Sequence, residues 1–432
     1  MIKKNKILSS VVALTLAGSL IAGCSSNPQS SSSDKTTTAN KSEPVTITYS
    51  SGKDSTPATQ KLIEAFEAKY PNIKVKFQEL PSSTDDQHNS YVTALSAGDS
   101  SIDIMAMDII WVPEFAAADW ILPLDNKFTP QMQDQMLPGP VEAMKYNGHV
   151  WAVPRFTDAG VLYYRTDIIQ TPPKTWDELI QMSKENVGKG GTKYGIVFQG
   201  NQYEGLVCDA LEFIGGNGGS VLEGNKVTID TPQAIGGLQN MINLVKEKIA
   251  PPGVTTYQEE EARNVFQQGD SIFMRNWPYA WSLVNGNDSP VKGKVGIAPI
   301  PRGNDGKAGT PTLGGWNLGI NKFSKHPEEA WKFVEFVTSE EGQKITALEG
   351  GNLPTIKALY HDKEILAKNP YWADFYDVFI TAKPRPVSPF YPQMSDVMQI
   401  NFHKALTGEI TAQQAIQNVA KGLNEIIQSG GK

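Results

Sequence analysis

The chain has 432 residues and a formal net charge of −7, and this length is enough for two domains of ordinary size. Residues 1–23 contain three lysines and no acidic residue, so the rest of the chain carries −10. An acidic chain without a cluster of lysine and arginine excludes a typical nucleic-acid-binding protein. Only two cysteines occur, Cys24 and Cys208, and if Cys24 carries a lipid, no intramolecular disulfide can form.

The N-terminal segment is predicted to direct export of the chain. Three lysines within the first six residues precede an uncharged, mostly apolar run over residues 7–22, a pattern typical of a secretory signal peptide. The run is too short to span a bilayer comfortably, because spanning takes about 20 apolar residues. Its end, the sequence IAGC at residues 21–24, resembles the bacterial lipobox, in which the signal is cut before the cysteine and the thiol is acylated.

We therefore predict a signal peptide over residues 1–23 and a lipid such as palmitate on Cys24. The lipid would hold the chain at the extracellular face of the bacterial cytoplasmic membrane without a transmembrane helix. Residues 24–43 are rich in serine and threonine and are predicted to form a flexible tether with a reach of roughly 25 Å. The alternative is an ordinary signal peptide that ends by chance near a cysteine.

Strands and helices are predicted to alternate after the tether. Residues 45–49 and 73–77 alternate apolar and polar side chains as strands do, and a helix with one apolar face, residues 59–70, lies between them. A strand, a helix and a strand within about 30 residues predict a parallel sheet with a right-handed crossover. An apolar strand over residues 102–107 extends this first unit.

A second α/β unit is predicted to follow a hairpin at Asn147 and Gly148, a pair that suits a tight turn. The segments after this turn are expected to cross between the units, and a strand over residues 294–299 is expected to lead back. Two amphipathic helices, residues 327–337 and 412–427, are predicted in the last quarter of the chain.

Six stretches resemble the extracellular solute-binding proteins of carbohydrate ABC transporters, in particular the trehalose/maltose-binding branch. They occur in the family's order over nearly all of the chain after the tether. They are FEAKYPNIKV at 66–75, DIMAMD at 103–108 with Trp111, DAGVLYYR at 158–165, NWPYAW at 276–281, GGWNLGI at 314–320 and GGNLPT at 350–355.

The resemblance implies an α/β chain with a two-lobed periplasmic-binding-protein-like fold, each lobe a mostly parallel sheet flanked by helices, joined by a hinge. We expect residues 44–155 plus 301–353 in lobe 1, and residues 156–300 plus 354–432 in lobe 2. It also implies that the chain is no enzyme. As a monomer, it would capture a di- or oligosaccharide between the lobes and deliver it to the membrane permease and ATPase of an ABC importer.

Two aspartates are candidate partners for sugar hydroxyl groups, because carboxylates accept strong hydrogen bonds and ligands of open α/β folds lie beyond strand ends. Asp108 ends a predicted strand, where capping of the next helix is the alternative role. Asp158 borders the crossing between the lobes. The resemblance implies that both bind sugar. Phe156 stands where the relatives carry tyrosine, which removes one hydrogen bond to the sugar and leaves its identity open.

Aromatic side chains are candidates to cover the apolar face of a sugar ring. The resemblance implies stacking by Trp277 and Trp316, for which core packing is the alternative. Gly315 lets backbone approach a ligand closely just before Trp316. Tyr279 and Trp281 share a segment with Trp277, and at least one of them must face the core; Tyr279 is favoured for the cleft.

Arg385 lies between two prolines and matches an arginine that contacts sugar in the family, with a solvated surface arginine as the alternative. The relatives carry a cleft arginine near Asp86, which is absent here, and Gln87 or His88 is the candidate substitute. The remaining tryptophans of helical patterns are assigned to packing, and they are Trp111, Trp120, Trp176, Trp331 and Trp372.

No metal or cofactor is predicted, because the five histidines lack paired-ligand spacing and no catalytic or phosphate-binding motif occurs. Two other functions stay open. A surface-anchored glycoside hydrolase also needs two carboxylates, about 5 to 9 Å apart. A receptor for a non-sugar solute such as a polyamine would hold a cation between tryptophans and acids, although Arg385 in the cleft would repel it.

Overall fold

The structure, a computed structural model, describes residues 44–372, 376 and 382–430. The predicted signal peptide, the lipidation site at Cys24 and the tether lie outside the described residues. Within the part of the chain that is described, no helix combines the length and the apolar character needed to cross a membrane.

The strands, numbered in chain order, are β1 (Val45–Gly52), β2 (Ile73–Leu80), β3 (Ile104–Asp108), β4 (Lys145–Tyr146), β5 (His149–Val150), β6 (Val153–Ala159), β7 (Val161–Arg165), β8 (Tyr194–Val197), β9 (Leu222–Glu223), β10 (Lys226–Val227), β11 (Ser271–Asn276), β12 (Val295–Ala298) and β13 (Leu313–Ile320). The pairs β4–β5 and β9–β10 form small antiparallel ribbons. The remaining strands form two larger sheets, one in each lobe.

The α-helices are α1 (Ala58–Lys69), α2 (Thr84–Ser96), α3 (Val112–Ala117), α4 (Pro130–Asp134), α5 (Pro138–Ala143), α6 (Trp176–Asn186), α7 (Glu204–Gly216), α8 (Pro232–Lys246), α9 (Glu259–Gln267), α10 (Ala280–Val284), α11 (Pro327–Thr338), α12 (Glu340–Gly350), α13 (Lys363–Lys368), α14 (Tyr391–Leu406) and α15 (Ala412–Ser429). Several begin at side-chain caps, and Thr175 and Thr411 start complete capping boxes at α6 and α15.

The first lobe contains a five-stranded sheet in the order β2-β1-β3-β13-β6. β1 pairs in parallel with β2 and β3, whereas β13 runs antiparallel to β3 and β6. The apolar strand β3 is buried along its whole length, as expected for a strand covered on both faces. Helices α1 and α11 pack beside the sheet, where the ring of Phe333 lies 5.1 Å from Tyr49 and 5.0 Å from Phe66, centroid to centroid.

The second lobe contains a four-stranded sheet in the order β12-β7-β11-β8. β11 is parallel to β8 and antiparallel to β7, and β12 is antiparallel to β7. The helices α7, α8, α14 and α15 pack against one another in this lobe. Trp176 stacks on Phe213 with ring centroids 3.9 Å apart, so Trp176 belongs to the core of the lobe.

The predicted α/β architecture with one sheet in each lobe is confirmed, but the expectation that the sheets are mostly parallel is wrong. Two of the three pairings in the second lobe and two of the four in the first are antiparallel. Parallel pairs arise where a helix carries the chain back, as between β1 and β2. The strands that lead directly from one lobe to the other, such as β6 and β7, have antiparallel neighbours instead.

The crossing segments place the lobe boundaries differently from the expected ones. Residues 156–159 belong to β6 of the first lobe, and the chain passes to the second lobe at Gly160. The backbone N–H of Gly303 still donates to Gly216 of the second lobe, and α13 packs on α12 of the first. Strand pairing and helix packing set these limits, and the apolar pattern of the sequence does not show them.

Candidate functional site

A cavity of about 480 Å³ opens between the two lobes. The first lobe contributes the loop after β1, the end of β3 and the β6–β13 pair, and the second lobe contributes α7, α9 and the segment after β11. All seven predicted ligand-binding residues line this cavity, and they are Asp108, Asp158, Trp277, Tyr279, Gly315, Trp316 and Arg385. Residues as far apart in sequence as Asp108 and Arg385, 277 positions, meet here.

Strand register brings the first-lobe residues of the cavity together. Trp316 in β13 lies opposite Asp108 in β3 and opposite Phe156 in β6. Asp158 lies opposite Gly314 in the same ladder. Asp108 also accepts a hydrogen bond of 3.2 Å from the backbone N–H of Ile110, so it closes the turn after β3 while it faces the cavity.

Gly315 has a backbone that only glycine adopts without strain. Its φ is +138°, and a Cβ atom there would lie 2.8 Å from the carbonyl oxygen of Phe156. The β13–β6 register shifts directly after it, between Trp316 and Asn317, and such a bulge turns the side chain at that position. The half-buried Trp316 ring meets Trp111 edge to face at 5.5 Å, so Trp111 supports Trp316 from the core.

Trp277 lies on the second-lobe side, directly after β11. Its Nε1–H points at Glu259 Oε1, 3.4 Å away, and its backbone N–H donates to Asn276 Oδ1 at 2.8 Å. A Cβ atom on Gly314 would lie 3.1 Å from the indole ring, so the absence of a side chain at Gly314 leaves the ring room. Arg275 lies against the ring, with its guanidinium carbon 4.1 Å from the centroid.

Of the two aromatic residues that follow Trp277, Tyr279 faces the cavity and Trp281 packs in the core. The Tyr279 hydroxyl donates to Glu260 Oε1 at 2.6 Å, and Tyr279 lines the cavity. Trp281 instead packs on Tyr371, with ring centroids 4.8 Å apart. The short helix α10 turns the chain between them, which sends the two rings in different directions.

Asp158 is buried in the wall of the cavity, with 8% of its surface exposed. Its Oδ1 atom has no hydrogen-bond partner among the described residues. Burial raises the pKa of Asp158 well above its usual range, the Arg275 charge lowers it, and the Asp108 charge raises it further. A ligand hydroxyl that donates to Asp158 would supply the partner that this carboxyl group lacks.

Arg385 joins carboxylates from both lobes. Its Nη2 lies 2.6 Å from Asp108 Oδ1, and its Nη1 lies 2.8 Å from Glu204 Oε1. Glu204 also accepts from the hydroxyl of Tyr391 at 2.7 Å and from the hydroxyl of Ser395. Arg385 is 4% exposed, so the alternative of a solvated surface arginine is wrong.

The two candidate substitutes for an absent arginine differ in position. Gln87 is buried and lines the cavity, with its side-chain amide 2.9 Å from the carbonyl oxygen of Pro81. His88 is not among the lining residues of the cavity. Its Nε2 atom lies 2.5 Å from Glu114 Oε2, and its ring packs 5.5 Å from Trp111. Of the two, only Gln87 is placed to reach a ligand.

Four lining glutamates are not among the residues predicted from sequence. Glu204 begins α7, and Glu259, Glu260 and Glu261 begin α9. Acidic residues at helix N-termini are common because they interact favourably with the helix dipole, so the sequence shows nothing unusual. The run of three glutamates that opens α9 is the signal that could have drawn attention to that helix.

The described residues contain no group of three or more histidine, cysteine, aspartate or glutamate side chains arranged to hold a metal ion. Cys208 is a buried free thiol among these residues, and it lines the cavity from α7. The cavity therefore offers indole faces, carboxyl groups and the guanidinium groups of Arg155 and Arg385 to a ligand.

Residues 49–344 match the family model of the bacterial extracellular solute-binding proteins, and the chain belongs to this family. The predicted two-lobed fold is confirmed by this match and by the solved structures that resemble it.

Three known proteins are similar to this chain over most of its length. A probable ABC transporter-binding protein of Deinococcus radiodurans is 38% identical over 373 residues, which are 83% of this chain and 88% of that protein. The structure of maltose-bound MalE3 from T. maritima has 44% identity and a TM-score of 0.85, and covers 88% of this chain and 100% of its own. A solute-binding protein from Thermotoga lettingae, bound with alpha-D-tagatose, has 29% identity and a TM-score of 0.80. The match covers 89% of this chain and 100% of that protein's chain.

Proposed function

We propose that this protein is the sugar-binding component of an ABC importer and that it captures a di- or oligosaccharide between its lobes. The observation that carries the proposal is the cavity in which Trp277 and Trp316 face a ligand together with Asp108, Asp158 and Arg385. A sugar ring has an apolar C–H face and a rim of hydroxyl groups. Indole rings cover the first, and charged hydrogen-bonding groups hold the second.

Burial makes these polar groups effective partners for hydroxyl groups. Arg385 is 4% exposed, and hydrogen bonds that involve a charged group are about twice as strong as neutral ones. Asp158 is 8% exposed, and a buried carboxyl group needs a hydrogen-bond partner inside the cavity. The unpartnered oxygen of Asp158 favours a ligand with a hydrogen-bond donor at that point. The sugars bound by the similar structures, maltose and alpha-D-tagatose, carry such donors and support the proposal.

The bound sugar would favour a closed arrangement of the lobes. Stacking and hydrogen-bonding groups come from both lobes, so a ligand gains all of its contacts only when the lobes are together. The closed form would then deliver the sugar to the permease and ATPase of the importer. A lipid on Cys24 would keep the protein at the extracellular face of the membrane throughout this cycle.

The test is a thermal-shift screen of the purified protein against maltose, trehalose, maltotriose, glucose and spermidine. At equal concentration, a ligand that binds the native state more tightly raises the melting temperature more, and we expect a disaccharide or trisaccharide to give the largest rise. The bound ligand is then released and analysed by chromatography. Intact sugar supports a binding protein, whereas monosaccharide products would indicate a glycoside hydrolase. A shift by spermidine alone would overturn the proposal.

A further inference from the structure

We infer that Arg275, which does not line the cavity, is a positioning residue that holds the indole of Trp277 in its stacking orientation. This inference rests on the proposed function, because it assumes that Trp277 stacks on a bound sugar.

Arg275 is fixed by three side chains of the second lobe. It is 1% exposed and donates to both carboxylate oxygens of Glu212, at 2.9 and 2.6 Å. Its Nε lies 3.0 Å from Asp209 Oδ1, and its Nη1 donates to Gln199 Oε1 at 3.0 Å. A guanidinium group with this many planar contacts has one orientation, so it forms a rigid surface beneath the cleft.

The chain makes room for this ion cluster at the crossing between the lobes. A Cβ atom at Gly160 would lie 1.9 Å from Glu212 Oε1 and 2.6 Å from Arg275 Nη2. Glu212 also accepts from the backbone N–H of Thr312, at 3.1 Å. The cluster therefore lies at a crossing strand, next to Asp158 and beneath the segment that carries Trp277.

The guanidinium group of Arg275 meets Trp277 at 4.1 Å from the ring centroid, well within the range of a cation–π contact, about 6 Å. A desolvated contact of this kind contributes more than an exposed one. Trp277 follows Arg275 by two positions, and side chains two positions apart project to the same side of an extended chain. The guanidinium group of Arg275 therefore lies directly against the indole ring and sets its tilt.

Few other contacts restrain the ring of Trp277. Its Nε1 has a long hydrogen bond of 3.4 Å to Glu259, and Gly314 offers it no side chain. The bond from its backbone N–H to Asn276 fixes the main chain and leaves the indole free to rotate. Without Arg275, the supported face of the ring would border an empty volume, and we expect the ring to lose its fixed tilt.

The experiment is a double-mutant cycle between Arg275→Met and Trp277→Ala, measured as the Kd for the sugar that the wild-type protein binds. Arg275→Met should weaken binding by about tenfold in the wild-type background. In the Trp277→Ala background it should weaken binding by less than twofold, because the residue through which it acts is gone. Arg275→Lys keeps the charge and should recover part of the affinity.

The matched control is Arg165→Met. Arg165 is a buried arginine on the neighbouring strand β7, and both of its hydrogen bonds to Asp167 are 2.7 Å long. Loss of either arginine leaves buried or partly buried acids unpaired and lowers stability, but only Arg275 touches Trp277. Arg165→Met should therefore bind sugar as the wild type does. If Arg275→Met does not fold, the variant that also carries Asp209→Asn and Glu212→Gln removes the unpaired acids.

A spectroscopic measurement separates positioning from a general loss of structure. Arg275→Met should change the tryptophan emission spectrum of the folded protein, and the change should disappear in a Trp277→Phe background. Equal losses of affinity from Arg275→Met with and without Trp277 would overturn the inference while leaving the proposed function intact. A wild-type protein that binds no sugar would contradict the proposed function itself.

Discussion

Asp158 shows how one residue links stability and binding. Its carboxyl group is buried, and one of its oxygens lacks a partner among the described residues. An unsatisfied buried group of this kind costs about 1 to 3 kcal/mol of folding free energy. Such a loss of stability is expected at a position where a ligand donates the missing hydrogen bond, because functional sites commonly contain groups that lower stability.

We therefore expect Asp158→Asn to raise the melting temperature at pH 7 and to weaken sugar binding by about tenfold. The stability gain comes from removing an ionisable group whose pKa burial raises well above its usual range, so that ionisation at pH 7 favours the unfolded chain. Asp167→Asn is the control with the opposite sign, because Arg165 lowers the pKa of Asp167 and pairs with it. Loss of stability in Asp158→Asn, as in Asp167→Asn, would contradict this account.

The residues of the site were predictable from sequence only in part. Trp277, Trp316 and the two aspartates stand in stretches that resemble a known family, and the structure places all of them around one cavity. The ion pairs of Arg385 join residues that are 277 and 181 positions apart, and no local pattern shows such contacts. Glu204 was not predictable for the same reason, since it resembles any acidic residue at the start of a helix.

At the scale of elements, local patterns predicted the strands and helices but not how the strands pair. Alternating side chains indicated β1 and β2, and the helix between them explains their parallel pairing. The antiparallel position of β13 between β3 and β6 depends on a chain segment that returns from the second lobe. Packing between distant parts of the chain decides such pairing. The side-chain pattern of β13 therefore does not predict which strands it pairs with.

Helix α2 of the first lobe contacts α7 of the second, and this contact is predicted to depend on pH. Burial, then the charge of Glu204 and last that of Asp396, raise the pKa of Asp85 to about 7. Hydrogen bonds from Gln399 and from the Glu204 backbone act in the opposite direction. Among the facing groups, burial raises the pKa of Asp396, and the charge of His88 acts against this rise.

The raised pKa fixes the sign of the effect. As pH rises above about 4, the unfolded chain releases the Asp85 proton first. The stability from this group is therefore fully present below about pH 4 and is lost as pH rises through about 7. Asp85→Asn should raise the melting temperature relative to the wild type at pH 8 and give no gain at pH 4. The control Asp86→Asn, at an exposed position of α2, should show no such difference, and an equal gain at both pH values would contradict the prediction.

At the scale of the whole molecule, Arg385 bridges the lobes from a segment that lies beside the start of β13, where the carbonyl oxygen of Lys383 accepts a hydrogen bond from the backbone N–H of Leu313. It contacts Asp108 of the first lobe and Glu204 of the second. Both carboxylates and the arginine are buried, so opening of the lobes would separate buried charges. A ligand that hydrogen-bonds to Asp108 or Arg385 would share these groups with the ion pairs, and the balance between the two sets of contacts would influence closure.

Substitution of Cys24 tests the proposed lipid anchor. Cys24→Ala, produced in a bacterium that processes lipoproteins, should move the protein from the membrane fraction to the soluble fraction and abolish incorporation of labelled palmitate. Cys208→Ala is the matched control, because Cys208 is a buried free thiol and its loss should leave the protein in the membrane fraction. Palmitate incorporation into Cys24→Ala would contradict the proposed lipidation site.

Calorimetric titration of the wild type, Trp316→Ala and Trp151→Ala with the disaccharide that gives the largest thermal shift tests whether a sugar binds between the lobes. We expect a micromolar Kd for the wild type, equal to about −8 kcal/mol, and at least tenfold weaker binding by Trp316→Ala. Trp151 is also half-buried, but it bonds to the carbonyl oxygen of Tyr146 and does not line the cavity, so Trp151→Ala should bind like the wild type. Equal affinity of Trp316→Ala and the wild type would contradict a sugar site between the lobes.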